Sequence, residues 1–470
     1  MLISQKGKKM QRFDINSLEK NSHIHFIGIG GISMSGLAHI AISNGFKVSG
    51  SDRTKTPITD KLEAEGAVIS EGHDAKNLTG VDLVVHTAAV KADNPEMAEA
   101  IKQNIKLIDR AEFLGALMKN YKHSIGVAGT HGKTTTTSML AHALIYADTD
   151  PTISVGGELD LIDGNIRCGN SDMFVTEACE YTNSFLKFYP TIALITNIEE
   201  DHLDFFSGIE MIRQSFREYA ELTRDKGSVV AYGEDENIKI ALRDSGLDII
   251  TYGIGENNDY YAANIEYHAG YPSFDVINNG VKICKVSLNV PGEHNILNAL
   301  ATIAVCRLLN VDAKTAAKGI ETFKGTHRRF EKKGILNGAI VLDDYAHHPT
   351  EIKATLKAAK SFPHTRIRCI FQPHTYSRTR TLWDDFVTAF DETDELILTH
   401  IYAAREAYDG VTDPDRLAAE IKERGIDSKY MDDFSDIEKY IMDTARPGDI
   451  IFTMGAGDVT EIGNNLFNKD

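Results

Sequence analysis

Short apolar runs alternate with longer stretches of helical periodicity along nearly the whole chain. "HIHFIGIG" (23–30), "KVSGSD" (47–52), "VDLVVHTAAV" (81–90), "HSIGVAGT" (123–130), "MFVTEA" (173–178) and "TIALITNI" (191–198) predict strands. "SMSGLAHIAISNG" (33–45) and "TTTTSMLAHALIYA" (134–147) predict helices between them. The rhythm returns late in the chain with "AIVLDDYA", "TRIRCIFQP", "ELILTHI" and "GDIIFTMG". Short buried strands separated by helical patterns indicate parallel sheets covered by helices. Residues 251–290 break the pattern with Tyr, Asn and the alternating "VKICKVSLNV", which predicts an antiparallel edge or a small inserted sheet. Breaks fall near residues 118–123 ("MKNYKHS") and at 324–334 ("KGTHRRFEKKG"). The expected organisation is therefore three α/β domains in series, 1–120, 121–325 and 326–470.

Composition narrows the function classes. A chain of 470 residues has room for about three domains, and 42% hydrophobic residues suffice for their cores. The net charge of -18 argues against a nucleic-acid partner, whose phosphates need clustered Lys and Arg. Five scattered cysteines without a CxxC pair fit a reducing compartment and give no zinc signature. The start "MLISQKGKKMQRF" has basic residues but no apolar run directly after them, unlike a secretion signal. Glycines, His25 and His39 interrupt the apolar run at 24–42, so a strand, a turn and a buried helix fit it better than a membrane span. The expectation is a cytoplasmic protein without membrane insertion.

Two glycine-rich turns carry the candidate chemistry. In the first, Gly28, Gly30 and Gly31 lie between a strand and a helix, with Asp52 at the end of the next strand. A helix N-terminus with free N–H groups suits a diphosphate. Ser33 stands at the third fingerprint position and Gly36 comes too late. NAD, FAD and a UDP-sugar stay open, as does a turn that only packs strand on helix. The second turn, "AGTHGKTTTT" (128–137), lacks the first Walker A glycine, since Val127 holds that position and Gly126 is one place off. It keeps the working parts: N–H groups from Gly129 to Gly132 for phosphates, Lys133 for the β and γ groups, and the Thr134 hydroxyl for Mg²⁺. Glu177 in "VTEACE" and His202 in "NIEEDHLD" end two later strands of the same sheet, where a divalent metal could sit beside the loop.

"GTHGKTTTT", "NIEEDHLD", "GEHNILNALA", "DDYAHHPTEI", "FQPHTYSRT" and "FTMGAGDV" follow one another in this order, with "HFIGIGGISMSGLA" and "VSGSD" before them. The ordered set resembles the Mur ligases from about residue 22 to 462. The resemblance implies N- and C-terminal Rossmann-like domains flanking a central P-loop ATP-binding α/β domain. It implies an ATP- and Mg²⁺-dependent ligase, monomer or homodimer, that joins L-alanine to UDP-N-acetylmuramate. A recycling relative that adds a preformed peptide to the same nucleotide sugar is the alternative. A nicotinamide oxidoreductase built on the first turn, or a switch NTPase, would have to ignore most of these motifs.

Site roles follow from the same resemblance. The UDP-sugar falls to Gly28, Gly30, Gly31, Ser35, Asp52, Thr87, Ala88 and Arg110. ATP falls to Gly129, Thr130, His131, Gly132, Lys133, Thr134 and Thr135. His294, Asn295 and Asn298 would meet adenine, Asn295 and Asn298 sharing one helix face. From the third domain, Arg328 or Arg329 and Asp344 would contact ATP, Asp344 at the ribose. Tyr345, His347, His348 and Arg378 fall on the amino-acid side, Arg378 gripping the alanine carboxylate with its guanidinium fork. Thr134, Glu177 and His202 would hold metal, and Lys133, Glu177, His202, His347 and Arg378 carry catalysis. Two departures stand out. Thr375 replaces an arginine common in the family, and "FFSGIEMIRQSFREYAEL" (205–222) has no lysine to carry the carbamate that several members use.

Overall fold

The computed structural model describes residues 13–87, 90–91, 93–223 and 227–467, so most of the basic start and Ala88 lie outside the described residues. The chain builds three sheets in succession. The first holds β1 (His23–Ile27), β2 (Lys47–Asp52), β3 (Val68–Glu71), β4 (Leu83–His86) and β5 (Lys106–Asp109) in the order β3-β2-β1-β4-β5. All its pairings are parallel. The first glycine turn leaves β1 at the point where strand order reverses, the usual place for a ligand crevice.

The central sheet is assembled from β6 (His123–Ala128), β7 (Thr152–Leu159), β8 (Gly164–Arg167), β9 (Met173–Glu177), β10 (Ile192–Ile195), β11 (Ser228–Tyr232), β12 (Ile249–Gly253), β13 (Tyr260–His268), β14 (Tyr271–Asn278) and β15 (Val281–Ser287). Its order is β15-β14-β13-β12-β11-β10-β6-β9-β7-β8. From β7 to β13 the ladder is parallel, and β13, β14 and β15 form an antiparallel meander at one edge. The break in rhythm over 251–290 is that meander. The antiparallel β7–β8 hairpin at the other edge was not foreseen. The helix Glu293–Leu308 is buried over most of its circumference and packs on the P-loop helix Lys133–Tyr146 and on Ala313–Glu321.

The third sheet contains β16 (Glu331–Leu336), β17 (Ala339–Asp344), β18 (Arg366–Phe371), β19 (Glu395–Leu398), β20 (Asp427–Tyr430) and β21 (Asp449–Met454), ordered β16-β17-β21-β18-β19-β20. It is parallel except for β16. No described helix is long and apolar enough to cross a membrane.

The two seams between domains are built differently. A Cβ on Gly36 would run into Ile166 of β8, and one on Gly115 into the Lys187 backbone, so glycine lets the first domain seat closely on the second. This accounts for Gly36, which arrives too late for the diphosphate turn. Asn165 Nδ2 donates to Ile32 O at 3.1 Å across the same seam, and Lys187 pairs with Asp109. His39 lies here too, between Cys168 and Glu65, with Nδ1 2.5 Å from Glu65 Oε2. Its hydrogen bond with Cys168, together with Glu65, raises its pKa to about 9 against the pull of burial. The seam between the second and third domains is tied by several charged and polar pairs, with Tyr271 also meeting the Phe362 ring edge-on at 5.4 Å. Arg378 reaches Asp201, Thr350 reaches Glu199, and His131 meets Glu351.

Candidate active site

The P-loop leaves the central strand β6 and enters a helix at Lys133. Gly132 has φ 81° and a Cβ there would stand 2.9 Å from Asn298 Oδ1, so both backbone and space demand glycine. Asn197 takes the N–H groups of Thr130 and His131 through its carbonyl (3.1 Å) and its side chain (2.8 Å), which fixes the loop. The helix begins with no side-chain cap, and its first N–H groups point where a phosphate can take them. Gly126, the displaced glycine of the motif, serves packing: Tyr219 Oη donates to its carbonyl at 2.8 Å, where a side chain would collide.

Lys133 Nζ donates to Thr130 O at 3.1 Å, to Gly129 O, and to Glu180 Oε2 at 3.1 Å. Burial alone would lower its pKa, but Glu180 raises it, so the ammonium stays charged. Glu180 is only 3% exposed and its Oε1 is 3.8 Å from His202 Nε2, so it bridges the loop lysine and the metal-candidate histidine. It ends the stretch "VTEACE", from which only Glu177 was singled out. Glu177 closes β9 with Oε1 accepting Gly156 N–H at 2.6 Å, and Thr134 hydrogen-bonds the same carboxylate. Burial raises the Glu177 pKa, opposed by the Gly156 N–H and Lys133. A Cβ on Gly156 would sit 2.6 Å from Glu177 Oε2, so glycine keeps that space clear. His202 packs on the Tyr181 ring, centroids 4.7 Å apart, on the Glu180 side of the lysine.

A cavity of roughly 260 Å³ opens from the P-loop between the second and third domains. Gly132, Thr134 and Thr135 form one end, and Tyr232, Tyr252, His294 and Phe330 line the rest. Asn295 and Asn298 face it, but their amides are linked to each other at 3.0 Å and anchored on Pro291 O (2.6 Å) and the Thr136 hydroxyl (3.1 Å). Burial lowers the His294 pKa to about 4, so that ring is neutral. Asp344 lines the far wall, accepting N–H groups of Ala346 and Phe330 at 2.8 and 2.9 Å, and burial raises its pKa to about 6 against the Arg329 charge. The two arginines separate here. Arg329 lines the cavity, whereas Arg328 donates to the carbonyls of Gly455 and Gly457 at 2.7 and 2.8 Å inside the third domain.

A second cavity, about 530 Å³, lies beyond His202 and brings together Asp201, His202, His374, Arg378, Arg405 and Glu406. Arg378 directs Nε and Nη2 to Asp201 Oδ1 at 3.1 and 2.8 Å. Burial would raise the Asp201 pKa, but Arg378 holds its carboxyl far below the usual range. Thr375 caps the helix Tyr376–Thr381, its hydroxyl accepting Arg378 N–H at 3.4 Å. The cavity therefore draws further cations from Arg380 and Arg405, neither of which a motif singled out. His347 is largely shielded, and desolvation lowers its pKa to about 4, with Nδ1 3.0 Å from Tyr345 O. Tyr345 lies beneath the guanidinium groups of Arg328 and Arg329.

The first glycine turn borders a third, separate cleft. Gly28, Gly30, Gly31, Asp52 and Thr87 line it, joined by Arg53, His73 and Lys91. Gly30 N–H donates to Asp52 Oδ2 at 2.8 Å, which ties the turn to the second strand. Ser35 is buried and its hydroxyl donates to Ile32 O at 2.9 Å within the helix. Arg110 opens the helix Arg110–Met118, near enough to Cys179 for its charge to act on that thiol.

Comparisons agree with this layout along the chain. Residues 23–122 match the family model described as "Mur ligase family, catalytic domain", 127–306 the "Mur ligase middle domain", and 328–457 the "Mur ligase, glutamate ligase domain". A UDP-N-acetylmuramate–L-alanine ligase of Clostridium botulinum (strain Langeland) is 53% identical over 451 residues, covering 96% of this chain and 98% of the relative. Among solved structures, UDP-N-acetylmuramate-alanine ligase MurC from Thermotoga maritima matches with a TM-score of 0.77 and 32% identity, over 94% of this chain and 98% of its own. A murein peptide ligase from Psychrobacter arcticus follows at a TM-score of 0.68 and 27% identity, over 95% and 98% of the two chains. The chain belongs to the Mur ligase family.

Proposed function

We propose that the chain joins L-alanine to the lactyl carboxylate of UDP-N-acetylmuramate at the expense of ATP, a cytoplasmic step in making peptidoglycan precursor. The observation that carries this reading is the meeting of three groups at one place. The P-loop lysine, the Asp201–His202 turn and the third-domain Arg378 converge between the two cavities on the seam of the second and third domains. A nucleotide, a carboxylate and an amino acid can thereby be held side by side. Relatives at 50–53% identity over nearly the whole chain are named for adding alanine, which favours alanine over the recycling reaction.

The chemistry assigns the roles. A carboxylate cannot expel oxide, so the γ-phosphoryl of ATP passes first to the lactyl carboxylate oxygen, giving an acyl phosphate and ADP. The alanine amine then attacks the acyl carbon and phosphate leaves, closing the amide bond. Each step gathers negative charge, so fixed positive charge and alignment matter more than a nucleophilic side chain. Lys133, held as ammonium by Glu180, supplies charge at the phosphoryl group. The uncapped helix start at Lys133 adds oriented N–H groups. Thr134 and Glu177 are hard oxygen donors joined by a hydrogen bond, with Gly156 making room for the carboxylate, and they would hold Mg²⁺ with His202 on its flank. An ion held there would neutralise phosphate charge. Arg378 takes the alanine carboxylate in exchange for Asp201, and neutral His347 offers Nε2 as an acceptor for the amine.

Incubation with UDP-N-acetylmuramate, ATP and L-alanine, followed by mass spectrometry, should give the UDP-sugar extended by one alanine. A product formed only with a tripeptide would assign the chain to recycling instead.

A further inference from the structure

One cluster on the seam between the second and third domains has a donor pattern that phosphate binding does not require. His131 of the P-loop, Glu199 of the segment after β10, and His348 at the start of the helix Pro349–Lys360 each place one donor within 4.8 Å of the others. His131 Nε2 is 3.4 Å and His348 Nδ1 3.8 Å from Glu199 Oε2. Donors around a tetrahedral ion with bonds of about 2.0 Å stand about 3.3 Å apart, so a small contraction would close the set.

The surroundings orient both rings toward that point. His131 Nδ1 faces Glu351 Oε1 at 3.1 Å, and His348 Nε2 faces Glu200 O at 3.2 Å. Each imidazole thus gives one N–H to an outer oxygen and has its other nitrogen on the Glu199 side, where His348 Nδ1 also accepts the Thr350 N–H at 3.3 Å as the helix cap, a bond that an ion would have to replace. Metal-binding histidines are held in this way. Glu199 Oε2 is steadied by the Thr350 hydroxyl at 2.6 Å. His131 Nε2 is buried without a hydrogen-bond partner, so a polar atom aimed into the cluster is left unsatisfied.

We propose that His131, Glu199 and His348 bind a transition-metal dication of the Zn²⁺ class, pinning the P-loop to the third domain. Two imidazoles and a carboxylate suit such an ion, whereas Mg²⁺ prefers oxygen and its own waters. The site is distinct from Thr134 and Glu177, and its occupation would hold the nucleotide cavity shut.

The test uses full-length protein stripped of metal, with Zn²⁺ titrated calorimetrically and Co²⁺ as a visible-absorption probe. One site per chain and tetrahedral Co²⁺ bands are expected. Glu199→Gln and His348→Gln should each abolish the bands, Glu351→Gln should weaken Zn²⁺ about 10–100-fold, and Glu177→Gln should leave the bands intact. Circular dichroism identifies any variant that fails to fold, and the remaining ligand variant then decides. Absence of tetrahedral bands in the wild type, or their survival in a folded Glu199→Gln or His348→Gln protein, overturns the proposal. These readouts are independent of ligase activity.

Discussion

Replacing Arg378 with lysine separates an alanine-binding role from a purely structural one. The guanidinium and the Asp201 carboxylate are each about nine-tenths buried, and two N–H groups converge on one oxygen at 2.8 and 3.1 Å. Solvent screening is therefore small, and a charged hydrogen bond in such a place contributes about 1.5–3 kcal/mol. Lysine keeps the charge but loses the planar fork. At about 1.4 kcal/mol per factor of ten, losing one such bond to the alanine carboxylate raises the KM for alanine roughly 10- to 150-fold. The KM for ATP should barely change, because Arg378 does not line the nucleotide cavity. Steady-state kinetics with each substrate varied in turn measures both. Asp201→Asn supplies the control: it removes the internal carboxylate that alanine must displace, so alanine should bind more tightly. If both substitutions instead raised both KM values equally, and the double variant added nothing, Arg378 would be a latch between domains and the alanine assignment would fall.

Three further outcomes follow from the same geometry. Lys133→Ala should cut ligation by about 10²–10³ or more, yet calorimetry should find UDP-N-acetylmuramate binding intact because the first glycine cleft is separate; collapse of that affinity would contradict a two-site layout. His39, with a folded pKa raised to about 9, contributes stability that is full below its unfolded value near 6.5 and fades as pH climbs through 9. Thermal midpoints should fall over that window in the wild type, and His39→Asn should flatten the slope; an unchanged slope removes His39 from the seam's energetics. Gly115→Ala drives a methyl into the Lys187 backbone and should cost about 1–3 kcal/mol in urea unfolding, so an unaltered midpoint would mean that the first seam yields easily.

The parallel sheets were legible because their strands are short apolar runs, buried on both faces, and the meander at 251–290 because its residues alternate. The β7–β8 hairpin was not, since "TISVGGELDLIDGNIR" mixes glycines and acids that show no clean period. Motifs marked the two glycine-rich turns and many of the residues that line the cavities. They could not reveal Glu180 or Asp201, whose importance lies in which cation each meets across the fold. Nor could they tell Arg328 from its neighbour: a left-handed residue at 328, with φ 62°, turns one guanidinium inward to two carbonyls and leaves Arg329 at the cavity. The spacing of Asn295 and Asn298 did place them on one helix face, but not their bond to each other.

The nucleotide cavity takes its walls from His131 near one end of its span and Thr355 near the other. During synthesis the P-loop leaves the ribosome more than two hundred residues before the helix Pro349–Lys360. At about 5–20 residues per second, that interval lasts on the order of ten seconds or longer. For most of it the nascent chain carries the loop but lacks Arg329, Asp344 and Glu351, and the two tyrosines arrive only about midway. A growing chain therefore owns only part of this cavity's wall and cannot enclose anything there until the final domain has folded over it.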